Sequence, residues 1–386
     1  MVSAETTSPS GAAPEGRVPA GATPTLRVLC VLLAPEPVPG PRYRVLQYLP
    51  VLESYGLACE TMAVLSRATA LRSVKDAARS PIRRLTHWLR VFVETQLGCL
   101  RLVWRLHRYD RVLLYRVAVP TWAVWVLWRR RDDLVYDFDD ALDASEGGGW
   151  ASRLRRHVLA RSLTRAVKVC AAVCTSNARN AEVVTALGGH PVIVPTSVDM
   201  ARFPERPAAR GRVVLGWIGT PSTAQYLPAI EGALATVLAA RPEVSVRLVG
   251  SGGNPFASLP AEIVEWTDAA EVDELVRFDI GLMPMPDTAW TRGKAALKAL
   301  QYGAARTPTV ASWTRTNDEI LGAAGGVILC RTPDEWRDAL LALGDDPSRR
   351  ADMGEHARAH VARLYSVQAN GARLAAVLRH PAGVHA

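Results

Sequence analysis

Nowhere do eighteen apolar residues run without a break, and roughly that many are needed to cross a bilayer as a helix. The nearest approach, Val112 to Trp128, is interrupted by Arg116 and Pro120, so no transmembrane span is predicted. Cysteine is scarce. The six residues Cys30, Cys59, Cys99, Cys170, Cys174 and Cys330 lie mostly in apolar runs. Cys170 and Cys174 have no second Cys or His pair at zinc spacing, which favours buried free thiols in a reducing compartment over disulfides or zinc. Residues 1–25 lack the apolar centre of a secretory signal and are rich in Pro, Ala, Gly, Ser and Thr. They are expected to form a disordered leader. Carboxylates are scarce in one region: from Arg67 to Arg131 fifteen Arg and Lys face only Asp76, Glu94 and Asp110. From Gly211 to Asn370 the balance reverses, with fifteen basic and nineteen acidic residues. The two halves are therefore expected to meet different partners.

At 386 residues, with 49% hydrophobic and 22% charged side chains, the chain suits two globular domains. Leu26 to Leu33 is a continuous apolar run, the mark of a strand buried on both faces. A proline-stiffened loop follows, then a predicted helix from Arg42 to Tyr55 ended by Gly56. Further strands are predicted at Val112–Tyr115, Leu134–Asp137, Ala172–Asn177 and Pro191–Asp199, with an apolar helix over Trp122–Trp128. Strands in the second half are predicted at Val213–Gly219, Val244–Gly250, Ile263–Trp266, Phe278–Pro284, Pro308–Ser312 and Gly326–Cys330. Helices between them are predicted at Thr223–Ala240, Glu271–Arg277, Lys294–Ala304, Asp318–Ala324 and Pro333–Leu343. Such alternation implies an α/β chain with two doubly wound parallel sheets. The expected division is a leader at 1–25, an N-terminal domain at 26–203 and a linker at 204–211. A C-terminal domain at 212–348 follows, then helices at 349–386 that pack back across the junction.

Three stretches carry candidate chemistry. After the strand at Phe278–Pro284, a helix opening at Lys294 places Lys294, Lys298 and Gln301 on one face. Its N-terminus, with Arg292 beside it, favours an anion at the carboxyl edge of a sheet; a surface helix with solvated lysines is the plainer alternative. Asp137-Phe138-Asp139-Asp140 through Asp143 clusters carboxylates just past a strand. Substrate hydroxyls, a helix cap or a divalent metal all suit such a cluster. From Pro81 to Arg108, Leu85, Trp88, Leu89, Phe92, Leu100, Val103 and Leu106 recur with Arg between them. That is either a helix lying on an anionic membrane surface or a domain helix whose arginines snorkel. Nucleic acid suits the charge, but no recognised binding motif accompanies it, and none is expected as a partner.

The residues Pro41-Arg42-Tyr43-Arg44, Tyr136-Asp137-Phe138-Asp139-Asp140, Ser176-Asn177, Pro195-Thr196-Ser197-Val198-Asp199 and Gly216 to Thr223, with Asp279 to Tyr302, occur in an order that resembles the family-4 (group 1) glycosyltransferases of the GT-B fold. The resemblance implies two Rossmann-like domains facing a cleft, a nucleotide-diphosphate sugar in the C-terminal domain and an acceptor in the N-terminal one. It implies diphosphate contacts from Gly219, Thr220, Ser222 and Thr223, nucleobase contacts from Trp266 and Thr267, and phosphate contacts from Arg292, Gly293, Lys294 and Lys298. On the acceptor side it points to Gly40, Arg42, Arg44 and Arg116, with Asp139 or Asp140 orienting or deprotonating a hydroxyl. The family's paired glutamates are replaced by Gly293 and Gln301, so the usual ribose contact loses its charge. The implied reaction retains anomeric configuration and needs no metal or separate cofactor, the sugar nucleotide being a substrate. A glycan or lipid-linked acceptor, and a cytoplasmic enzyme resting peripherally on the inner membrane face, are the matching expectations. A nucleotide-sugar 2-epimerase of the same architecture and a non-catalytic membrane- or polyanion-binding scaffold are the alternatives.

Overall fold

A computed structural model describes residues 26–36, 39–70, 81–144, 149–204 and 211–383. The expected leader at 1–25 and most of the expected linker, 205–210, lie outside this range. The first sheet contains β1 (Leu26–Leu32), β2 (Leu57–Ala63), β3 (Arg111–Tyr115), β4 (Leu134–Phe138), β5 (Ala172–Thr175) and β6 (Pro191–Ile193). All its pairings are parallel, in the order β2-β1-β3-β4-β5-β6. The second contains β7 (Val213–Ile218), β8 (Val244–Val249), β9 (Glu262–Val264), β10 (Ile280–Met283), β11 (Thr309–Ser312) and β12 (Val327–Cys330), also parallel, in the order β12-β11-β10-β7-β8-β9.

Helices cover both faces of both sheets, which is why β1, β3 and β4 are apolar without alternation. On one face of the first sheet lie the helices Pro81–Arg105, Thr121–Trp128 and Trp150–Val169, contributing Leu102, Leu127 and Leu163 to the core. The opposite face is covered by Tyr48 and Leu52 and by Leu374 and Leu378 of the final helix, Val367–Arg379. That last helix thus belongs spatially to the first sheet. In the second sheet, Leu234, Trp336 and Leu340 cover one face and Leu300, Tyr302 and Ile320 the other. Among the described residues no helix is long and apolar enough to cross a membrane.

Several elements differ from the sequence expectation. The helix expected at Arg42–Tyr55 is broken into Pro39–Arg44, a 3-10 turn at Leu46–Tyr48 and Leu49–Ser54. That at Thr223–Ala240 breaks around Pro228, which has no N–H to continue the ladder. The helix expected to open at Lys294 begins at Leu297, because Ala296 takes a left-handed conformation (φ 50°) and Lys294 is extended. β2 and the helix Trp150–Val169 were not anticipated.

Candidate functional site

Each sheet reverses its strand order once, β1 against β3 in the first and β7 against β10 in the second. At such reversals the loops leave in opposite directions and open a crevice at the carboxyl edge. The two crevices contribute opposite walls of a single cavity of about 1460 Å³. The second sheet supplies Gly219, Thr220 and Thr223 after β7, Trp266 and Thr267 after β9, and Lys294, Lys298 and Gln301 after β10. The first sheet supplies Tyr43, Asp139, Asp140 and Thr196. Ten of the residues singled out in the sequence therefore line one cavity.

Around β7 and β8 the wall is bare backbone. Gly250 has φ +75°, and a Cβ there would lie 2.4 Å from the Gly219 carbonyl oxygen. The loop from Gly219 then turns into a short helix capped reciprocally by Thr220 and Thr223. Thr223 Oγ1 accepts a hydrogen bond from Lys298 Nζ at 3.2 Å, and the same ammonium lies 4.9 Å from the centre of the Trp217 ring. Among the described residues no carboxylate pairs with Lys298. Burial, and then the nearby charge of Lys294, push its pKa down to about 7. Lys294 stands 3.8 Å from Asp140 Oδ1, reaching across the cavity.

Asp139 accepts a hydrogen bond from Tyr115 Oη at 3.0 Å, and Arg116 Nη1 donates to Asp140 at 2.7 Å. Burial, reinforced by the charge of Asp140, raises the pKa of Asp139 and suits it to exchange a proton with a hydroxyl. Among the described residues no group of three His, Cys, Asp or Glu forms a metal site. The two aspartates face Arg116 and Lys294 instead.

Seven of the residues singled out lie off the wall. Arg44 is the clearest correction. It and Asp137 are each 1% exposed, joined by bonds of 2.9 and 2.7 Å, and Arg44 Nη1 donates to the Val194 carbonyl. Its guanidinium is enclosed and does not line the cavity. Arg292 is turned to solvent and paired with Asp287 through two bonds. Gly293 is a seam between the halves: a Cβ there would lie 2.5 Å from Ala141 Cβ, and its carbonyl accepts from Asn180. Asn177 meanwhile donates to the Lys294 carbonyl at 2.9 Å, so the helix cap that opens Ala178–Ala186 also sets the position of Lys294. Ser222 is exposed beside Thr220, Gly40 packs on the Tyr115 hydroxyl, and Arg116 stands behind the two aspartates.

Arg42 does not line the cavity either. Its Nη2 donates to both oxygens of Glu271 at 2.7 Å, and Nη1 pairs with Asp268. Tyr43 Oη donates to the same Glu271 at 2.6 Å and accepts from Gln301 Nε2 at 2.7 Å, while Trp266 Nε1 donates to Glu271 at 3.0 Å. Burial and the carboxylate raise the pKa of Tyr43 and keep it a donor. Sequence reasoning missed Glu271 and Tyr43 as site residues. The departure at Gln301 was the available signal, because a neutral amide there fits a phenol whose proton is already committed to a carboxylate. A double-mutant cycle of Arg42→Met and Glu271→Gln, read by urea unfolding, is expected to give a coupling of about 2 kcal/mol; a value near zero contradicts this clasp.

No family model matches the chain. Over 226 residues it is 29% identical to a GDP-mannose-dependent monoacylated alpha-(1-6)-phosphatidylinositol monomannoside mannosyltransferase of Corynebacterium glutamicum, covering 50% of this chain and 58% of that protein. Over 228 residues it is 25% identical to a D-inositol 3-phosphate glycosyltransferase of Kineococcus radiotolerans, covering 48% and 51%. The chain thus spans little more than half the length of these curated relatives. Among solved structures it resembles Anabaena HepE in complex with UDP and glucose, with a TM-score of 0.63 and 13% identity over 92% of this chain and 99% of that one. It also resembles a putative UDP-N-acetylglucosamine 2-epimerase of Listeria monocytogenes, with a TM-score of 0.55 and 11% identity over 93% and 96%. The chain has the GT-B fold, and its sequence likeness is to glycosyltransferases.

Proposed function

We propose that the protein transfers a sugar from a nucleotide diphosphate, held by the second sheet, to an acceptor hydroxyl held at Asp139 and Asp140. The observation that carries this reading is Lys298, a largely buried ammonium with no carboxylate partner among the described residues, beside the open backbone of the β7 loop. A diphosphate supplies the missing counter-charge, and the amides and hydroxyls of Gly219, Thr220 and Thr223 suit its oxygens. As the glycosidic bond to phosphate lengthens, charge grows on the departing oxygen, and Lys298 and Lys294 stabilise it without a metal. The acceptor hydroxyl donates to Asp139, and its proton passes to that carboxylate or to the departing phosphate. The latter route accords with retention of configuration. Trp266 and Thr267 face the nucleoside, with Gln301 nearby. The acceptor is a glycan or lipid-linked sugar of the cell surface, and the basic face of the first half rests on anionic lipid at the inner face of the membrane, leaving the enzyme cytoplasmic.

The test is thermal unfolding against UDP, GDP, ADP, TDP and CDP, with and without magnesium. One nucleotide is expected to raise the melting temperature without magnesium, by a stabilisation of roughly 2.7 kcal/mol at about 100 times its dissociation constant. A rise only with magnesium assigns the Asp139–Asp140 pair to a metal, and no rise with any nucleotide favours a scaffold. Fold alone does not separate transferase from 2-epimerase. Incubation of the stabilising sugar nucleotide without acceptor does: conversion to its 2-epimer refutes the transferase.

A further inference from the structure

Three helices on one face of the first sheet carry an outer surface that a water-facing surface does not explain. Along Pro81–Arg105, Leu85, Trp88, Leu89, Phe92, Leu100 and Trp104 point outward, Leu85 being 70% exposed, while Cys99 and Leu102 face the core. On Thr121–Trp128 the inward residues are Ala123 and Leu127, and Trp122, Trp125 and Trp128 are exposed at spacings of three. On Trp150–Val169, Leu163 and Ala166 face inward and Leu154 and Val158 outward. Trp122 Nε1 donates to Gln96 Oε1 at 2.7 Å, tying the first two helices into one surface. Exposed apolar area on this scale marks an interaction surface.

Its charge says which. The three helices contain eleven Arg and Lys and a single carboxylate, Glu94, which is turned to Ser66 and Thr69. Arg129 stacks 3.0 Å from the centre of the Trp125 ring and Arg108 5.0 Å from that of Trp104. Tryptophan interleaved with arginine, over a leucine and phenylalanine face, suits the boundary between headgroups and acyl chains of an anionic bilayer.

The fold also places this surface relative to the cleft. In a parallel sheet every crossover helix leaves from the carboxyl edge, where the cleft lies. Thr121 follows Arg116 by five residues, and Trp150 comes soon after Asp139 and Asp140. Leu85, Trp88, Trp122 and Leu154 therefore lie toward the mouth of the cleft.

We propose that this three-helix face docks on an anionic bilayer with the mouth of the cleft at headgroup level. The acceptor is then a lipid whose anchor stays in the membrane while its hydroxyl reaches Asp139 and Asp140. The inference rests on the transferase reading and names its acceptor class.

The experiment is co-sedimentation of the full chain with vesicles of phosphatidylcholine alone or of two parts phosphatidylcholine to one of phosphatidylglycerol. Trp88→Glu/Phe92→Glu and Trp125→Glu/Trp128→Glu are compared with the parent, and nucleotide-induced thermal shift confirms folding. The parent is expected to bind the anionic vesicles about tenfold or more tightly than the neutral ones, and each double variant to lose that binding while keeping its nucleotide shift. Failure of the parent to sediment overturns docking. So does sedimentation unaffected by both variants, binding to nucleic acid in preference to vesicles, or a parent dimer that the variants convert to monomer. Organic extraction of native membranes after incubation with labelled sugar nucleotide tests the acceptor class: label in lipid supports it, and label only in water-soluble glycan overturns it. Loss of vesicle binding with the nucleotide shift intact removes this inference alone; loss of the shift removes the transferase reading beneath it.

Discussion

Lys298→Met is expected to make the empty protein more stable and nearly to abolish the proposed sugar transfer. An ammonium held at a pKa of about 7 is favoured less in the folded chain than in the unfolded one. Between pH 7 and the ordinary lysine range near 10, the unfolded state therefore binds the extra proton and stability rises with pH. Methionine removes that penalty and is expected to add roughly 1–3 kcal/mol at neutral pH, measurable by thermal or urea unfolding. Turnover should fall by about a hundredfold or more, because a positioned charge at the leaving group acts mainly in the transition state. Nucleotide binding carries the matching signature. A diphosphate restores the charge of Lys298, so binding takes up a proton above pH 7 and affinity weakens as pH rises from there. Calorimetry in buffers of different ionisation enthalpy reads the uptake directly. The Met variant should show none; an unchanged uptake would place the proton elsewhere.

Arg44→Met is expected to cost about 3–5 kcal/mol of stability, since it leaves Asp137 buried without its partner. The guanidinium satisfies both carboxylate oxygens, the Val194 carbonyl and Thr196 Oγ1, and so joins the strand ends of the first sheet. Arg44→Met with Asp137→Leu should recover much of the loss, because replacing both charges removes the desolvation cost as well as the attraction. Urea unfolding of the single and double variants measures both. If the single variant lost less than about 1 kcal/mol, Arg44 would have to be reached by water, against its burial.

These two residues also show what was legible. Arg42, Tyr43 and Arg44 are neighbours in sequence, and both arginines were expected on the acceptor side. Their side chains part company: Arg42 and Tyr43 both reach Glu271 of the other half, Tyr43 also lining the cavity, while Arg44 turns into the core to pair with Asp137. Local sequence reports charge but not direction, and Glu271 stands 229 residues from Arg42. The parallel sheets were legible because strands buried on both faces are apolar at every position. β2 escaped notice because Cys59, Glu60 and Thr61 break its apolar run at the edge of the sheet. Lys294 and Lys298 do line the cavity, but by another route than helical spacing: the left-handed Ala296 ends the loop before the helix begins. Trp122, Trp125 and Trp128 read only as part of an apolar helix, because every residue between them is apolar; the neighbours on either side show that one flank is left uncovered.

The bonds gathered on Glu271 have a consequence for how the cleft moves. Arg42, Tyr43 and Trp266 all converge on one nearly dry carboxylate. A small separation of the two halves strands several buried polar groups at once, before water can enter to replace the lost bonds. A small gap between the halves is thus costly, and these bonds hold the cleft in the arrangement seen. Trp266 leans on the same carboxylate from the cavity side, so what fills the cavity and the contact between the halves meet at a single residue.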